Sequence, residues 1–437
     1  MAHFGVVTPA FYSHFSTMAA LAGELVARGH RVTFLHRPDA ASYVRAHLVN
    51  ERIGFHAVGA GTHPAGSLAG ALKRAANPGS PLGLRRVILD MAECTDMLCR
   101  ELPGAIERLQ IDALLADQME AAGGLVADAL GLPFISIACA LPVNREPGIP
   151  LPVMPFLYSD TPQGHKMVEG STRVYDWFMA PHRASIEANA ARFGLSGRHA
   201  LHDCLSSLAQ ISQTVAAFDF PRRELPAHFH HVGPLRPVGT TVRERPALPE
   251  IASDRPFVFA SLGTMQGGRL ALFKRIVRAA QANDAQVLVA HCGGLDGAQE
   301  QELKRAGATW VCDFADQGAA LARADAVVSH GGANTVIDAV AANTPHLALP
   351  IAFDHPGAAA RVVYHGVGLR ASARFSSAGH LARQLRRVLV EPGFAPNLAR
   401  LAQAASQAGG TLHAADIIES TLLLAPARVA SRVASID

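Results

Sequence analysis

The sequence predicts an α/β protein with two facing Rossmann-like domains and an interdomain cleft. Its 437 residues exceed the roughly 250 at which a single hydrophobic core usually stops growing. Strand and helix patterns alternate in both halves, which is typical of a parallel sheet with helices on both faces. Residues 232–256 are rich in proline and charge, and this indicates a linker between the two domains.

The order of the elements predicts a domain at 1–240 and a second domain at 241–425. The first half begins with the apolar strand FGVVT, an amphipathic helix that starts near Phe15 and the strand RVTFLH. The alternation starts afresh with FVFASLG at 257–263 and ends in helices. The proline-rich stretch 141–156 is too broken for a regular element, and we expect it to form one wall of a binding site.

Composition narrows the class of protein. Hydrophobic residues make up 49% and charged residues 17%, as in a globular protein. The 39 basic and 36 acidic side chains nearly balance, without a long basic run, which argues against a nucleic-acid partner. The six cysteines are scattered without a CxxC pair, and neither a signal peptide nor a membrane span is evident. These features indicate a cytoplasmic address.

Peripheral contact with the inner face of the membrane is one interpretation of residues 68–89. In this segment basic side chains alternate with leucines and other apolar residues. Such a pattern can rest on an anionic membrane surface. The alternative is an ordinary solvated face whose basic side chains serve no partner.

Residues 325–357 are the most informative segment for chemistry. A strand leads to a glycine pair that ends at Gly332, and a helix follows at Asn334 and Thr335. Glycines permit close backbone approach, and the free N–H groups of a helix start attract anions. The pattern predicts a diphosphate site with His330 beside it. The alternative is an ordinary turn that Asn334 caps.

Acidic and histidine side chains extend this candidate site. Asp338, one helical turn later, is placed to bind a ribose diol. Asp354 and His355 follow the next strand, where they can exchange hydrogen bonds with sugar hydroxyls. Each residue alone is more often a helix cap. Together they lie beyond the carboxyl ends of strands, where such folds bind ligands.

Two further motifs suggest other chemistry. The histidines of HFHH at 228–231 could bind zinc, but no fourth ligand follows at a usual spacing. The motif around Ser261 partly matches the nucleophile elbow of esterases, but Phe259 replaces its first glycine. We therefore expect neither a zinc site nor an esterase activity.

The segment 325–357 resembles the nucleotide-sugar signature of the inverting UDP-glycosyltransferases. Further motifs of that family follow in order: TPAFYSH, ARGHRVTF, LLADQME, SLGT and DFADQ. MLCRELP, DQMEAAG and CALPVNREP are similar to the bacterial carotenoid glucosyltransferases, and the likeness extends from about His3 to Ile418. The resemblance implies a B-type glycosyltransferase fold, UDP-glucose as donor and zeaxanthin as acceptor, with mono- and diglucoside as products.

The resemblance also implies roles for individual residues. The catalytic base falls on His14, and the carboxylate that orients it falls on Asp117. The donor-binding roles fall on Ser261, Thr264, Phe314, Gln317, His330, Gly332, Asn334, Thr335, Asp338, Asp354 and His355. A neutral imidazole can take the proton of the acceptor hydroxyl, so we expect single displacement with inversion. No D-x-D pair occurs, and we expect neither a metal nor another cofactor.

Three residues depart from the family pattern. His355 stands where glutamine is usual, which bears on the choice between glucose and its epimers. Asp338 replaces a glutamate of plant members. Phe314 replaces a tryptophan, so a smaller ring would stack on uracil.

Three alternative functions remain open at this point. The chain could transfer sugar to another lipophilic alcohol, such as a macrolide, a sterol or a flavonoid. It could be a nucleotide-sugar epimerase of the same architecture. It could also be a carotenoid-binding protein without catalysis, in which case His14 and Asp354 would be dispensable.

Overall fold

The computed structural model describes residues 1–47, 52–238 and 247–424. Its first sheet has seven strands: β1 (His3–Val7), β2 (Arg31–His36), β3 (Ile53–Ala57), β4 (Ala113–Asp117), β5 (Phe134–Ala138), β6 (Gln210–Ser212) and β7 (Phe229–His231). All pairs are parallel, in the order β3-β2-β1-β4-β5-β6-β7. The accompanying helices are α1 (Tyr12–Ala27), α2 (Ala41–His47), α3 (Ser67–Ala76), α4 (Pro81–Leu109), α5 (Ala121–Leu130), α6 (Pro162–Phe178) and α7 (Ala180–Arg192).

The second sheet has six parallel strands. They are β8 (Phe257–Ser261), β9 (Gln286–Ala290), β10 (Trp310–Cys312), β11 (Ala326–Ser329), β12 (His346–Ala348) and β13 (Gly368–Arg370), in the order β10-β9-β8-β11-β12-β13. Its helices are α8 (Gly263–Gln266), α9 (Leu270–Gln281), α10 (Gly297–Arg305), α11 (Gln317–Arg323), α12 (Ala333–Ala341), α13 (His355–Tyr364), α14 (Ala378–Val390) and α15 (Phe394–Gln407). A further helix, α16 (Gly410–Leu424), follows.

Burial explains why these segments form strands. β1, β4, β5, β8 and β9 are buried at every position, as expected for central strands covered by helices on both faces. Several helices begin at hydroxyl caps: Ser80 accepts from the backbone N–H of Gly83, and Thr161 accepts from that of Gly164. The α/β prediction with two Rossmann-like domains is therefore confirmed.

Helix α16 returns to the first domain. Ala414, Ala415 and Ile418 of α16 are buried in one cluster with Leu21 and Leu25 of α1. This helix lies within the predicted range 241–425, although its packing partner is the first sheet. The predicted division at residues 240 and 241 lies outside the described residues.

A buried ion pair joins the two domains near the linker. Arg361 of α13 is fully buried and donates from Nη2 to Asp219 Oδ1 at 2.6 Å. Arg222 donates to the other oxygen of Asp219 at 2.8 Å, and the Arg361 guanidinium lies 4.2 Å from the ring centroid of Phe220. Burial opposes ionisation of Asp219, but the two arginines hold its pKa well below the usual range. These contacts fix how the domains face each other.

No helix within 1–47, 52–238 and 247–424 is both long enough and apolar enough to span a bilayer.

Candidate active site

The candidate site lies where the strand order of each sheet reverses. β1 neighbours β4 in the first sheet, and β8 neighbours β11 in the second. At these switch points the carboxyl ends of adjacent strands diverge and leave a crevice for ligands. α1, which carries His14, follows β1, while Asp117 is the last residue of β4. The sheet thus brings together two residues that are 103 positions apart.

His14 and Asp117 form a short hydrogen bond. His14 Nδ1 lies 2.6 Å from Asp117 Oδ2. Thr8 Oγ1 donates to the same oxygen at 3.0 Å, and the backbone N–H of Met119 donates to Oδ1 at 3.0 Å. Asp117 is fully buried, whereas 13% of the His14 side chain is exposed. The carboxylate is therefore fixed on both oxygens and holds one nitrogen of the imidazole, so that the other nitrogen is available to a ligand.

The pair also sets the protonation of both groups. Burial by itself would lower the pKa of His14, but the Asp117 carboxylate outweighs it and raises that pKa above 6.5. Burial would raise the pKa of Asp117, but His14 and the hydrogen bonds lower it. Asp354 of the second domain also helps to raise the pKa of His14. Two carboxylates, one from each domain, thus favour an imidazolium in the cleft.

The start of α12 has the geometry predicted for an anion site. β11 ends at Ser329 as expected, and the helix begins at Ala333. Its N-cap is Gly332, and no side chain caps it, so the alternative of a turn capped by Asn334 is not what the structure contains. The first backbone N–H groups of α12 lack a capping side chain, and Gly332 and Thr335 line the cavity beside them.

His330 packs against two glycines at this turn. A Cβ at Gly332 would collide with the His330 ring, and one at Gly263 would lie 2.7 Å from its Cε1 atom. Glycine is therefore needed at both turns for the two backbones to approach the ring. Burial lowers the pKa of His330 to about 4 in spite of a backbone hydrogen bond with Ser261. The ring is neutral at physiological pH and can offer one N–H to an anion.

Asp338 is held by two neighbours. Gln317 Nε2 donates to Asp338 Oδ2 at 2.6 Å, and Arg236 Nε donates to Oδ1 at 2.7 Å. Thr335 Oγ1 donates to Gln317 Oε1 at 3.3 Å. All four residues line one cavity. Sequence reasoning did not select Arg236, because an arginine in a linker carries no motif and is usually solvated.

Asn334 is the point at which the two domains meet in the site. Its Nδ2 donates to the backbone carbonyl of Ser13 at 3.2 Å, and its Oδ1 accepts from Gln213 Nε2 at 2.6 Å and Thr17 Oγ1 at 3.4 Å. Ser13 and Thr17 flank His14 in α1. The Asn334 side chain, for which we predicted a donor-binding role, thus couples α12 to the helix that carries His14.

Asp354 and His355 lie together at the start of α13. Burial raises the pKa of Asp354, against the effect of His14, and its Oδ2 atom is buried without a hydrogen-bond partner among the described residues. His355 Nδ1 accepts from the backbone N–H of Ala352 at 3.1 Å. A neutral His355 therefore keeps Nε2–H for a ligand, and a sugar hydroxyl could satisfy Asp354.

The remaining predicted donor residues line the same cavity, which has a volume of about 1170 Å³. They are Ser261, Thr264 and Phe314. Phe314 is 36% exposed, and its ring centroid lies 6.0 Å from that of Tyr12. Pockets for one ligand usually measure about 300–1,000 Å³. This cavity is therefore larger than is usual for a single ligand.

The opposite wall of the cavity belongs to the first domain. Leu141, Leu151 and Val153 of the proline-rich stretch line it, where we expected an acceptor wall. Met179, which lies between α6 and α7, and Ile186 of α7 contribute as well. Sequence reasoning missed the helical part, because an apolar residue that faces a cavity has the same helical spacing as one that faces a core.

Two groups of described side chains have the spacing of metal ligands. They are His14, Asp117 and Cys139, and His291, Glu300 and Asp313. Burial and Asp117 raise the pKa of the Cys139 thiol well above its usual value, which makes it a poor ligand. His291 Nδ1 accepts from the Leu295 backbone, so a neutral His291 donates from Nε2 to its carboxylate neighbours, each 3.2 Å away. Hydrogen bonds account for both groups.

The histidines at 228–231 do not converge on one point. Phe229–His231 is the edge strand β7, in which successive side chains alternate between faces. His228 bonds the backbone carbonyl of Ser206, and His231 bonds Thr214. The rings of His228 and His231 thus take part in separate hydrogen bonds.

Comparison with known proteins identifies the family. The chain is 51% identical to a zeaxanthin glucosyltransferase of Pantoea ananas over 97% of this chain and 96% of the relative. A zeaxanthin glucosyltransferase of Pseudescherichia vulneris is 47% identical, over 97% and 98%. The solved structure of the glycotransferase of kitacinnamycin aligns with a TM-score of 0.73 and 21% identity, over 96% of this chain and 99% of that one, and confirms the B-type glycosyltransferase fold. Residues 5–407 match the family described as UDP-glucoronosyl and UDP-glucosyl transferase, and the chain belongs to this family.

Proposed function

We propose that the protein is an inverting glucosyltransferase that moves glucose from UDP-glucose to the hydroxyls of zeaxanthin. The observation that carries this proposal is the 2.6 Å contact between His14 and Asp117, across one cavity from the uncapped start of α12. The two relatives named zeaxanthin glucosyltransferase, at 51% and 47% identity over nearly the whole chain, support this acceptor.

The proposed reaction is a single displacement. Asp117 accepts a hydrogen bond from His14 Nδ1–H, so Nε2 is the basic nitrogen and takes the proton of the acceptor hydroxyl. The hydroxyl oxygen forms a bond to the anomeric carbon as the bond from that carbon to the diphosphate oxygen breaks. UDP leaves with both bonding electrons. Because the attack comes from the opposite face, the α-linked donor gives a β-glucoside.

Charge on the departing UDP would be met without a metal. The N–H groups at the start of α12 and the hydroxyls of Thr335 and Thr264 form the donors, and His330 adds one neutral N–H. Donors fixed in advance at a buried site cost little reorganisation during the reaction. We therefore propose that turnover does not depend on a divalent ion.

We also propose that the protein works in the cytoplasm, in peripheral contact with the inner face of the membrane. The six cysteines are free thiols, which suits a reducing compartment. Leu82 and Leu84 in the first turn of α4 are 80% and 37% exposed, and Lys73 and Arg85 accompany them in the chain. Apolar side chains flanked by cations fit an anionic lipid surface. Such contact would let a lipophilic acceptor enter without crossing water.

Product analysis tests the proposed function. Purified protein is incubated with UDP-glucose and a panel of alcohols that includes zeaxanthin, a macrolide, a flavonoid and a sterol, and the products are resolved by mass. We expect one and then two hexose increments on zeaxanthin, in EDTA as in buffer, and none with His14→Ala. Transfer only to other alcohols would contradict the acceptor, and an epimerised UDP-sugar formed without any acceptor would favour an epimerase.

A further inference from the structure

Arg236 places its guanidinium at the donor side of the cavity from a segment that leaves the first domain. Its Nε donates to Asp338 Oδ1 at 2.7 Å, and its Nη1 donates to Gln213 Oε1 at 2.9 Å. Its Nη2 donates to the backbone carbonyl of Asn334 at 3.3 Å. One cation thus joins α12 of the second domain to Gln213 of the first.

The backbone of Arg236 is fixed independently of its side chain. Its N–H donates to Thr411 Oγ1 at 2.9 Å, and Thr411 Oγ1 donates to the Arg236 carbonyl at 2.6 Å. Thr411 belongs to the first turn of α16, which packs on the first domain. The guanidinium therefore approaches Asp338 from a backbone that is held in place, and its planar group has little freedom to turn away.

We propose that Arg236 is a positioning residue of the donor site, which holds the Asp338 carboxylate so that it accepts the ribose hydroxyls of the nucleotide. An ionised carboxylate has about four acceptor positions. Arg236 occupies one acceptor position on Oδ1 and Gln317 occupies one on Oδ2. About two acceptor positions therefore remain for the two hydroxyls of a ribose diol. This inference rests on the proposed function, because it assumes a ribonucleotide donor.

The exposure of the pair also indicates that Arg236 acts on nucleotide binding and not on the stability of the fold. The side chains of Arg236 and Asp338 are 31% and 14% exposed, and both line the cavity. Ion pairs that are partly open to solvent contribute little to stability, so the loss of Arg236 should affect folding little. Its effect should fall on nucleotide binding, because a carboxylate released from the fork no longer faces the ribose at a fixed angle.

A double-mutant cycle tests the proposal. KM for UDP-glucose and kcat are measured for Arg236→Ala, Arg236→Lys, Asp338→Ala and the double alanine variant. We expect Arg236→Ala to raise KM roughly tenfold, with kcat within about threefold of the parent, and Arg236→Lys to recover part of the loss, since an ammonium keeps the charge but not the planar fork. In the Asp338→Ala background, Arg236→Ala should have no further effect. Arg223→Ala, at an arginine that is 77% exposed, is the matched control and should match the parent.

Calorimetry with nucleotides supplies a second readout. The parent should bind UDP more tightly than 2′-deoxy-UDP, and Arg236→Ala should lose this preference while its thermal unfolding stays near that of the parent. Equal losses from Arg236→Ala in the presence and absence of Asp338 would overturn the inference, as would an unchanged preference for UDP. If the parent bound no UDP at all, the proposed function itself would fall, and the inference with it.

Discussion

Replacement of Asp117 by asparagine is the most informative perturbation of the proposed catalytic pair. The variant removes a charge from a fully buried position 2.6 Å from His14 Nδ1 and keeps the size of the side chain. A hydrogen bond to a charged group contributes about 1.5–3 kcal/mol, which corresponds to roughly 10- to 150-fold in rate. The asparagine amide can also favour the wrong tautomer of His14. We therefore expect kcat to fall by about 10²–10⁴.

The pH profile of the same variant gives an independent test, because the structure predicts the direction in which its acid limb moves. His14 acts as a base only when it is neutral, so kcat/KM of the parent should fall as pH drops through a pKa that lies above 6.5. Without the Asp117 carboxylate, burial dominates and lowers the pKa of His14, so the acid limb should move to lower pH while the plateau falls. Asp112→Asn is the control, because Asp112 is exposed at the opposite end of β4 and bonds the backbone of His3. An acid limb that stays in place in Asp117→Asn would refute the reasoning.

Three further predictions concern the donor, the domain contact and the membrane. Phe314→Ala should raise KM for UDP-glucose by about tenfold, since stacking on a base contributes about 1–3 kcal/mol, whereas Phe314→Trp should lower it; equal KM values in steady-state assays would speak against stacking. Arg361→Ala should destabilise the protein by about 3–5 kcal/mol, because it leaves Asp219 buried with one partner fewer; an unchanged midpoint in urea would disprove this. Charge reversal at four basic residues of α3 and α4 should weaken co-sedimentation with anionic vesicles, and binding equal to that of the parent would reject the membrane contact. The four are Lys73, Arg74, Arg85 and Arg86.

The fold follows from local patterns to a large extent. Continuous apolar runs such as 257–261 and helical spacing such as that of α1 depend on near neighbours in the chain, so periodicity alone predicts them. The packing of α16 does not follow in this way. Its apolar positions require a hydrophobic partner, but they do not say which domain supplies it.

For the same reason, the sequence predicted the local parts of the candidate site but not the contacts between its two domains. The turn before α12 has a local signal in its glycines and is found from the residues themselves. The contact of His14 with Asp117 joins residues that are far apart, and only the family resemblance suggested it. The contacts of Asn334 with the first domain and of Arg236 with Asp338 depend on how the domains face each other. A single sequence carries no pattern for such contacts.

A crystal structure with bound UDP would test the central claim most directly, namely that a base of the first domain faces a sugar nucleotide held by the second. The account predicts ribose at Asp338, uracil on Phe314 and the terminal phosphate at the start of α12, with His14 Nε2 facing the position of the transferred sugar. UDP bound elsewhere, or bound there with His14 directed away from the phosphate, would contradict it.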